Sequence, residues 1–391
     1  MTTRERVLAV LRGEKPDRIP WLGDLAYWID YLNDEGLMPE QYLIPELSLK
    51  GDASKINSGY AGTFNETGLQ KLHKDLGVGF YLQGYFPFTT TYGGDIKITE
   101  EKTHKGKNIL RVTTVSTPYG DLCEEWEYVY STHSWGPKKR MVRDVGDLKK
   151  IRYLYENTHY EPDYALAARR YNTIGDKGVV LCYIPKCPIM EMIALRAGVE
   201  TVVDIICDDE DEWRATLAVM EKKIDESCKI VLASPAECVM APDNLSSEVI
   251  GSRLYNEYGK PFHKKWNDHF RTAGKYTFVH LDGTLIPLIT ELCDAGFDVI
   301  EAITPMPVGS IPFEDVRPSM NDSAIIWGGI PGGFFSPLVS DQEFDAFVID
   351  LIEKMKQDGR SVLAVGDQIV PGSSFDRIAR VEILAEQYGY Y

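Results

Sequence analysis

The chain has 391 residues, 44% of them hydrophobic and 26% charged, with 42 Lys and Arg against 59 Asp and Glu for a formal charge of −17. That composition is globular, which excludes collagen-like and disordered chains, and its negative charge opposes a phosphate backbone, so no nucleic acid partner is expected. No apolar run reaches the about 18 residues of a membrane span, MTTRERVLAV has no signal-peptide core, and seven Cys follow neither disulfide nor zinc-finger spacing; a reduced, cytoplasmic protein with no membrane contact is expected.

In chain order, the first element is a helix, with Thr2 and Glu5 spaced as a capping box, Val7, Leu8, Val10 and Leu11 on one face, and Gly13 as its stop. Apolar runs follow at 19–24 (IPWLGD) and 78–84 (VGFYLQG). Residues 94–145 alternate polar with β-branched or aromatic residues between the turns Lys105-Gly106-Lys107 and Pro118-Tyr119-Gly120, which predicts an antiparallel meander inserted into the main repeat. From about residue 160 the rhythm is strand, helix, strand. Val/Ile-rich runs recur at 179–185, 238–243, 276–282, 299–305, 324–331 and 361–367, with helical stretches such as 188–206, 211–230, 284–295 and 341–357 between them. Eight continuous apolar runs alternating with helices predict parallel strands buried on both faces, hence a (β/α)₈ TIM barrel. An open doubly wound sheet is the alternative, weakened by the absence of any G-x-G-x-x-G after a strand. A single domain over residues 1–391 with a β insertion at 94–145 is expected.

Catalytic groups of such barrels come from the C-terminal strand ends. Those ends carry Asp24, Asp243, His280 with Asp282, Glu301 and Asp367. His280 and Asp282 lie two apart on a strand and project the same way, so an imidazole and a carboxylate converge where Zn²⁺ can bind. Asp367 ends the last strand and is expected to complete a metal site with them. Asp243 is a further candidate ligand or base. The alternatives are a hydrogen-bonded His280 and carboxylates that cap the following helices. Cys182 and Cys187 flank a strand end without a close His in sequence, and the other Cys read as core or surface thiols. His133, near the end of the insertion, reads as a solvated loop residue. No G-x-S-x-G, P-loop or H-E-x-x-H is present.

Four segments carry a family resemblance. TTRERVLAVLRGEKPDRIPW, FVHLDGTLIPLITELCDAGFDVIEAITPMPVG, WGGIP and LAVGDQIVPGSSFDRIARV resemble the start and the closing segments of the uroporphyrinogen decarboxylase superfamily, whose fold is a (β/α)₈ barrel. Its porphyrinogen decarboxylases carry an Arg-rich R-Q-A-G-R after the first strand, where this chain reads LGDLAYWIDYLNDEG. Its cobalamin-dependent methyltransferases bind Zn²⁺ through H-x-C and a later Cys. Matched to that pattern, His280 keeps the His, Asp282 replaces the first Cys, and Asp367 falls at or near the second. An oxygen-rich Zn²⁺ site suits an oxygen substrate. The resemblance therefore implies methyl transfer from a small methylated donor, a methyl ether, to the corrinoid of a partner protein, with Asp243 or Glu301 orienting or protonating the leaving oxygen. A homodimer is compatible with it. A metal-independent decarboxylase of a small or tetrapyrrole acid and a non-catalytic corrinoid- or tetrapyrrole-binding protein are the alternatives.

Overall fold

A computed structural model describes residues 1–42, 66–81 and 85–391 of the chain. Its strands are, in chain order, β1 (Trp21–Leu22), β2 (Phe88–Tyr92), β3 (Lys97–Lys105), β4 (Asn108–Thr117), β5 (Gly120–Val129), β6 (Ser134–Lys139) and β7 (Thr158–Pro162). They continue with β8 (Leu181–Tyr183), β9 (Cys238–Leu245), β10 (Tyr276–Leu281), β11 (Val299–Ile303), β12 (Ile325–Pro331) and β13 (Ser361–Gly366).

Seven of these form one parallel sheet in the order β1-β13-β12-β11-β10-β9-β8. Every residue of β11, β12 and β13 is buried, as strands covered on both faces must be. The run at 78–84 supplies the eighth stave through isolated parallel bridges, Leu22 to Gly79 on one side and Phe80 to Gly178 on the other. The barrel closes there; residues 82–84 of that run lie outside the described residues. The fold is a TIM-type α/β barrel.

Side-chain parity sorts each strand between two cores. Met240, Phe278, Val299, Ile325, Trp327, Val362 and Ala364 fill the barrel interior, and Val7, Val10 and Leu11 of the first helix join the same cluster. Val239, Ala241, Val279, Ile300, Ile326, Leu363 and Val365 face outward, into the layer shared with the helices. Trp327 anchors the interior, with ring centroids 4.8 Å from Tyr81 and 5.4 Å from Phe278. The first helix carries its Thr2–Glu5 capping box.

The meander is the antiparallel sheet β3-β4-β5-β6. β3 is exposed throughout, whereas Val115, Leu122 and the helix Val145–Glu156 share the outer core. The far end of the meander docks on the helix Ala26–Asp34 that follows β1: Tyr27 donates to the Thr132 carbonyl, Tyr128 donates to Asp34, and His133 Nδ1 lies 3.3 Å from Asp34. His133 is therefore buried, not solvated as its loop position suggested. The stretch predicted as one helix at 188–206 is broken into Pro188–Met190, a π-helical turn at Glu191–Arg196, and Val199–Asp208. No helix among the described residues is long and apolar enough to cross a membrane.

Candidate functional site at the barrel mouth

His280 near the end of β10 and Glu301 on β11 are register partners, and both share the inward parity of Phe278 and Val299. The two side chains consequently meet at the mouth. His280 Nδ1 donates to Glu301 Oε2 at 2.6 Å, and Tyr81 OH donates to Glu301 Oε1 at 2.8 Å. Glu301 is fully buried, and a buried carboxylate needs such donors. With Nδ1 held, His280 presents Nε2 outward, 3.7 Å from Asp367 Oδ1. Asp24, at the end of β1, accepts from the Ala26 N–H at 2.8 Å and from Gln368 Nε2 at 2.9 Å, which ties the first strand end to the last.

The charges of this group are coupled. Burial opposes a charge on His280, but Glu301 at hydrogen-bond distance, then Asp367 and Asp282, outweigh it and raise the imidazole to about 9. Burial pushes Asp24 up to about 7, with the neighbouring Asp367 and Glu301 adding to the rise against the hydrogen bonds from Ala26 and Gln368. Asp367 rises to about 6 through its recessed position, eased by His280 and reinforced by Asp282 and Glu301. Its tip meets solvent, with 46% of the side chain exposed, so water moderates that shift. One imidazole among Asp24, Asp282, Glu301 and Asp367 leaves an excess of negative charge that a cation would neutralise.

The backbone is unusual at the same level. Four described non-glycine residues have positive φ, and three of them, Asn244 (52°), Ala302 (68°) and Asp367 (69°), sit at the ends of β9, β11 and β13. Each such conformation costs about 1 kcal/mol and persists where surrounding structure imposes it, commonly at functional sites.

Asp243 is placed elsewhere. It shares the outward parity of Val239 and Ala241, so the structure turns it into the wall between strand and helix. Its Oδ1 accepts the Cys187 N–H at 3.0 Å, and its Oδ2 lies 2.9 Å from His263 Nε2 on the helix Lys260–Thr272. Burial pushes its carboxyl up, but the close contact and charge of His263, with Lys186 nearby, outweigh this and hold it low. Cys187, which has no His near it in sequence, thus has His263 close in space. Among the described residues, Cys187, Asp243 and His263 are the group of three ligand-type side chains whose donor atoms lie mutually within 4.8 Å. His280, Asp282 and Asp367 are not as compact: the structure brings His280 to Asp367, while Asp282 acts on both at longer range.

The His280 arrangement nevertheless suits a metal. Metal-bound histidines commonly hand their second nitrogen to a carboxylate, as His280 does to Glu301. Two ligands on a tetrahedral Zn²⁺ lie about 3.4 Å apart, close to the Nε2–Asp367 separation. Sequence reasoning missed Tyr81 and Gln368. Tyr81 precedes the end of an apolar run, and nothing local marks its hydroxyl as the partner of Glu301.

The family model described as uroporphyrinogen decarboxylase (URO-D) matches residues 137–388. No curated protein matches the sequence. Among solved structures, a methyltransferase from Methanosarcina mazei is 12% identical, covers 99% of each chain and superposes with a TM-score of 0.61, which at this identity speaks for the fold alone. The octameric ribulose-1,5-bisphosphate carboxylase/oxygenase from Pyrococcus horikoshii OT3, also 12% identical, covers 62% of this chain and 48% of its own with a TM-score of 0.30, too low to argue from.

Proposed function

The chain belongs to the uroporphyrinogen decarboxylase (URO-D) family, and on that premise we propose that it is a zinc-dependent methyltransferase that moves a methyl group from a small methyl ether to the cobalt of a separate corrinoid protein. The observation that carries this reading is the buried Tyr81–Glu301–His280 chain, which aims one imidazole nitrogen at Asp367 in the open mouth. The full-length fold likeness to a methyltransferase supports it.

In this reading, His280 Nε2 and the Asp367 carboxylate hold the metal, with Asp282 as a further oxygen ligand. When bound, Zn²⁺ supplies Lewis acidity to a departing ether oxygen, and the corrinoid supplies the nucleophile. Glu301 acts as a positioning residue. It keeps the proton on His280 Nδ1, so that Nε2 is the nitrogen that would give up its proton to a bound metal. Tyr81 holds Glu301 in turn, and the low-dielectric wall around them keeps the imidazole from swinging. Asp24 and Gln368 brace the mouth between its first and last strands. Asp243, engaged by Cys187 and His263, has no role at the mouth.

The acceptor is a protein, so the loops above the mouth must offer it a surface. Val249, Ile286, Met306, Val308 and Leu338 are exposed, and each follows the C-terminal end of β9, β10, β11 or β12. Leu338 is 93% exposed. Apolar side chains collected on one face mark such a surface.

Decarboxylation, which the family's name favours, needs cationic groups for substrate carboxylates. Residues 22–36 contain no Arg, and the mouth gathers Asp24, Asp282, Glu301 and Asp367 instead. Like charges at this range repel a polycarboxylate. The test is to incubate the zinc-loaded protein with reduced free cobalamin and a set of methyl aryl ethers. Methylcobalamin formation that stops on chelation and returns with Zn²⁺ is expected. Release of CO₂ from a porphyrinogen, with no methylcobalamin, would overturn the reading.

A further inference from the structure

We infer that Cys187, Asp243 and His263 form a second metal site, independent of the mouth, that holds a borderline divalent ion such as Zn²⁺ inside the barrel wall. All three side chains are fully buried or nearly so. Their candidate ligand atoms lie mutually within 4.8 Å, near enough for small side-chain shifts to bring all three onto one ion.

The unsatisfied atoms point to the same ion. His263 Nε2 and Asp243 Oδ2 face each other at 2.9 Å in a poorly aligned contact, and neither makes an aligned hydrogen bond. A buried polar atom without an aligned hydrogen bond is expensive, and two in contact beside a thiol need an explanation. The remaining atoms of each residue are already engaged. Asp243 Oδ1 accepts the Cys187 N–H at 3.0 Å, and His263 Nδ1 pairs with Tyr255 OH at 3.0 Å. Those contacts are the outer hydrogen bonds that orient metal ligands, and they leave Oδ2, Nε2 and the Cys187 thiol, which lie against one another, as the candidate ligand atoms. The nearby Lys186 ammonium is not aimed into the cluster; it donates to the Pro242 carbonyl and, at 3.2 Å, to Asn244 Oδ1.

Charge balance favours the ion over a bare pair. A thiolate and a carboxylate together neutralise Zn²⁺, with the thiol proton released to solvent on binding, so the loaded site is uncharged in a fully buried place. The ligand set of one sulfur, one nitrogen and one oxygen suits Zn²⁺ better than a hard cation such as Mg²⁺. Three protein ligands leave one tetrahedral position for a water. The backbone supports the placement as well. The π-helical turns Glu191–Arg196 and Tyr255–Gly259 flank the cluster, one four residues after Cys187 and the other carrying Tyr255 itself, and such turns gather at functional sites. The ion would pin the helix Lys260–Thr272 to β9, beside the strand that carries His280.

Co²⁺ substitution separates this site from the mouth, where no cysteine is a ligand. Protein stripped by a chelator and reloaded with Co²⁺ should show thiolate-to-cobalt charge-transfer absorption. The band should vanish in Cys187→Ser, with loss of one bound metal per chain, and should persist in His280→Ala. Absence of the band in the wild-type chain, or its survival in Cys187→Ser, would overturn the inference. If Cys187→Ser does not fold, Asp243→Asn serves instead: Co²⁺ affinity at the thiolate-linked site should fall at least tenfold, and unchanged affinity would equally overturn it.

Discussion

The barrel wall holds two carboxylate–histidine pairs, His280–Glu301 and His263–Asp243, assembled from the same chemistry on adjoining strands. They differ in the face they take. His280 and Glu301 have inward parity near the strand ends and meet solvent through Asp367, whereas Asp243 has outward parity and meets a helix. In the first pair the carboxylate is sealed and the imidazole is presented. In the second, both partners are sealed. The lesson is that the direction of a side chain on its strand decides whether a pair can work on a substrate or only on the structure around it.

The strongest way to break this contrast is to remove each histidine in turn. His280→Ala should lower methyl transfer on the order of a thousandfold, which corresponds to about 4 kcal/mol of barrier and exceeds the about 1–3 kcal/mol of stability lost with one of the two donors to buried Glu301. His263→Ala should do the reverse. It strands Asp243 in the wall and should cost about 3 kcal/mol or more of stability, seen as a lower melting temperature, while folded enzyme keeps its turnover. If His280→Ala melts early and the remaining folded fraction turns over normally, the roles assigned to the two pairs are exchanged.

Acid should discriminate a third histidine from both pairs. Burial against Phe80 pushes His73 down to about 4, so the unfolded chain binds a proton that the folded chain refuses. Its contribution is complete above pH 6.5 and is lost as pH falls from there through 4, on the order of 3 kcal/mol in all. Urea unfolding at pH 7 and pH 4.5 should show this loss, and His73→Phe should flatten it. An unchanged slope in His73→Phe would show that His73 does not carry the acid sensitivity.

Glu301→Gln sharpens the contrast further, because it keeps the shape of the mouth and removes the charge that orients His280. A 10- to 100-fold loss of zinc affinity is expected by metal-buffered titration. Affinity equal to wild type would deny Glu301 its positioning role. The smallest effect should come from Tyr81→Phe, which removes one of the two donors to Glu301 and should cost about 1–3 kcal/mol of stability in a urea titration. No measurable change would show that the Tyr81 hydroxyl is not needed to satisfy Glu301.

The barrel was legible because eight apolar runs report parallel burial directly, and because Thr2 and Glu5 mark a helix start without any tertiary help. His280 and Glu301 were legible as residues at strand ends. Their pairing was not, since it depends on the register between β10 and β11. Asp243 stood in the same kind of position and reads alike in sequence. Only the parity of Val239 and Ala241 against the two cores separates it from the mouth. Cys187 and His263 were invisible as a pair because 75 residues separate them, and the helix between Lys260 and Thr272 must fold back to join them. The break in the stretch at 188–206 carries no proline inside its π-helical turn, so periodicity alone read it as one helix.

Zinc-edge anomalous diffraction from crystals of the zinc-loaded protein tests the central claim most directly. The account predicts a peak within bonding distance of His280 Nε2 and the Asp367 carboxylate, with Glu301 still hydrogen-bonded to Nδ1. Density that shows His280 Nε2 bonded to Asp367 alone, with no anomalous peak at the mouth of a protein given Zn²⁺, would contradict it.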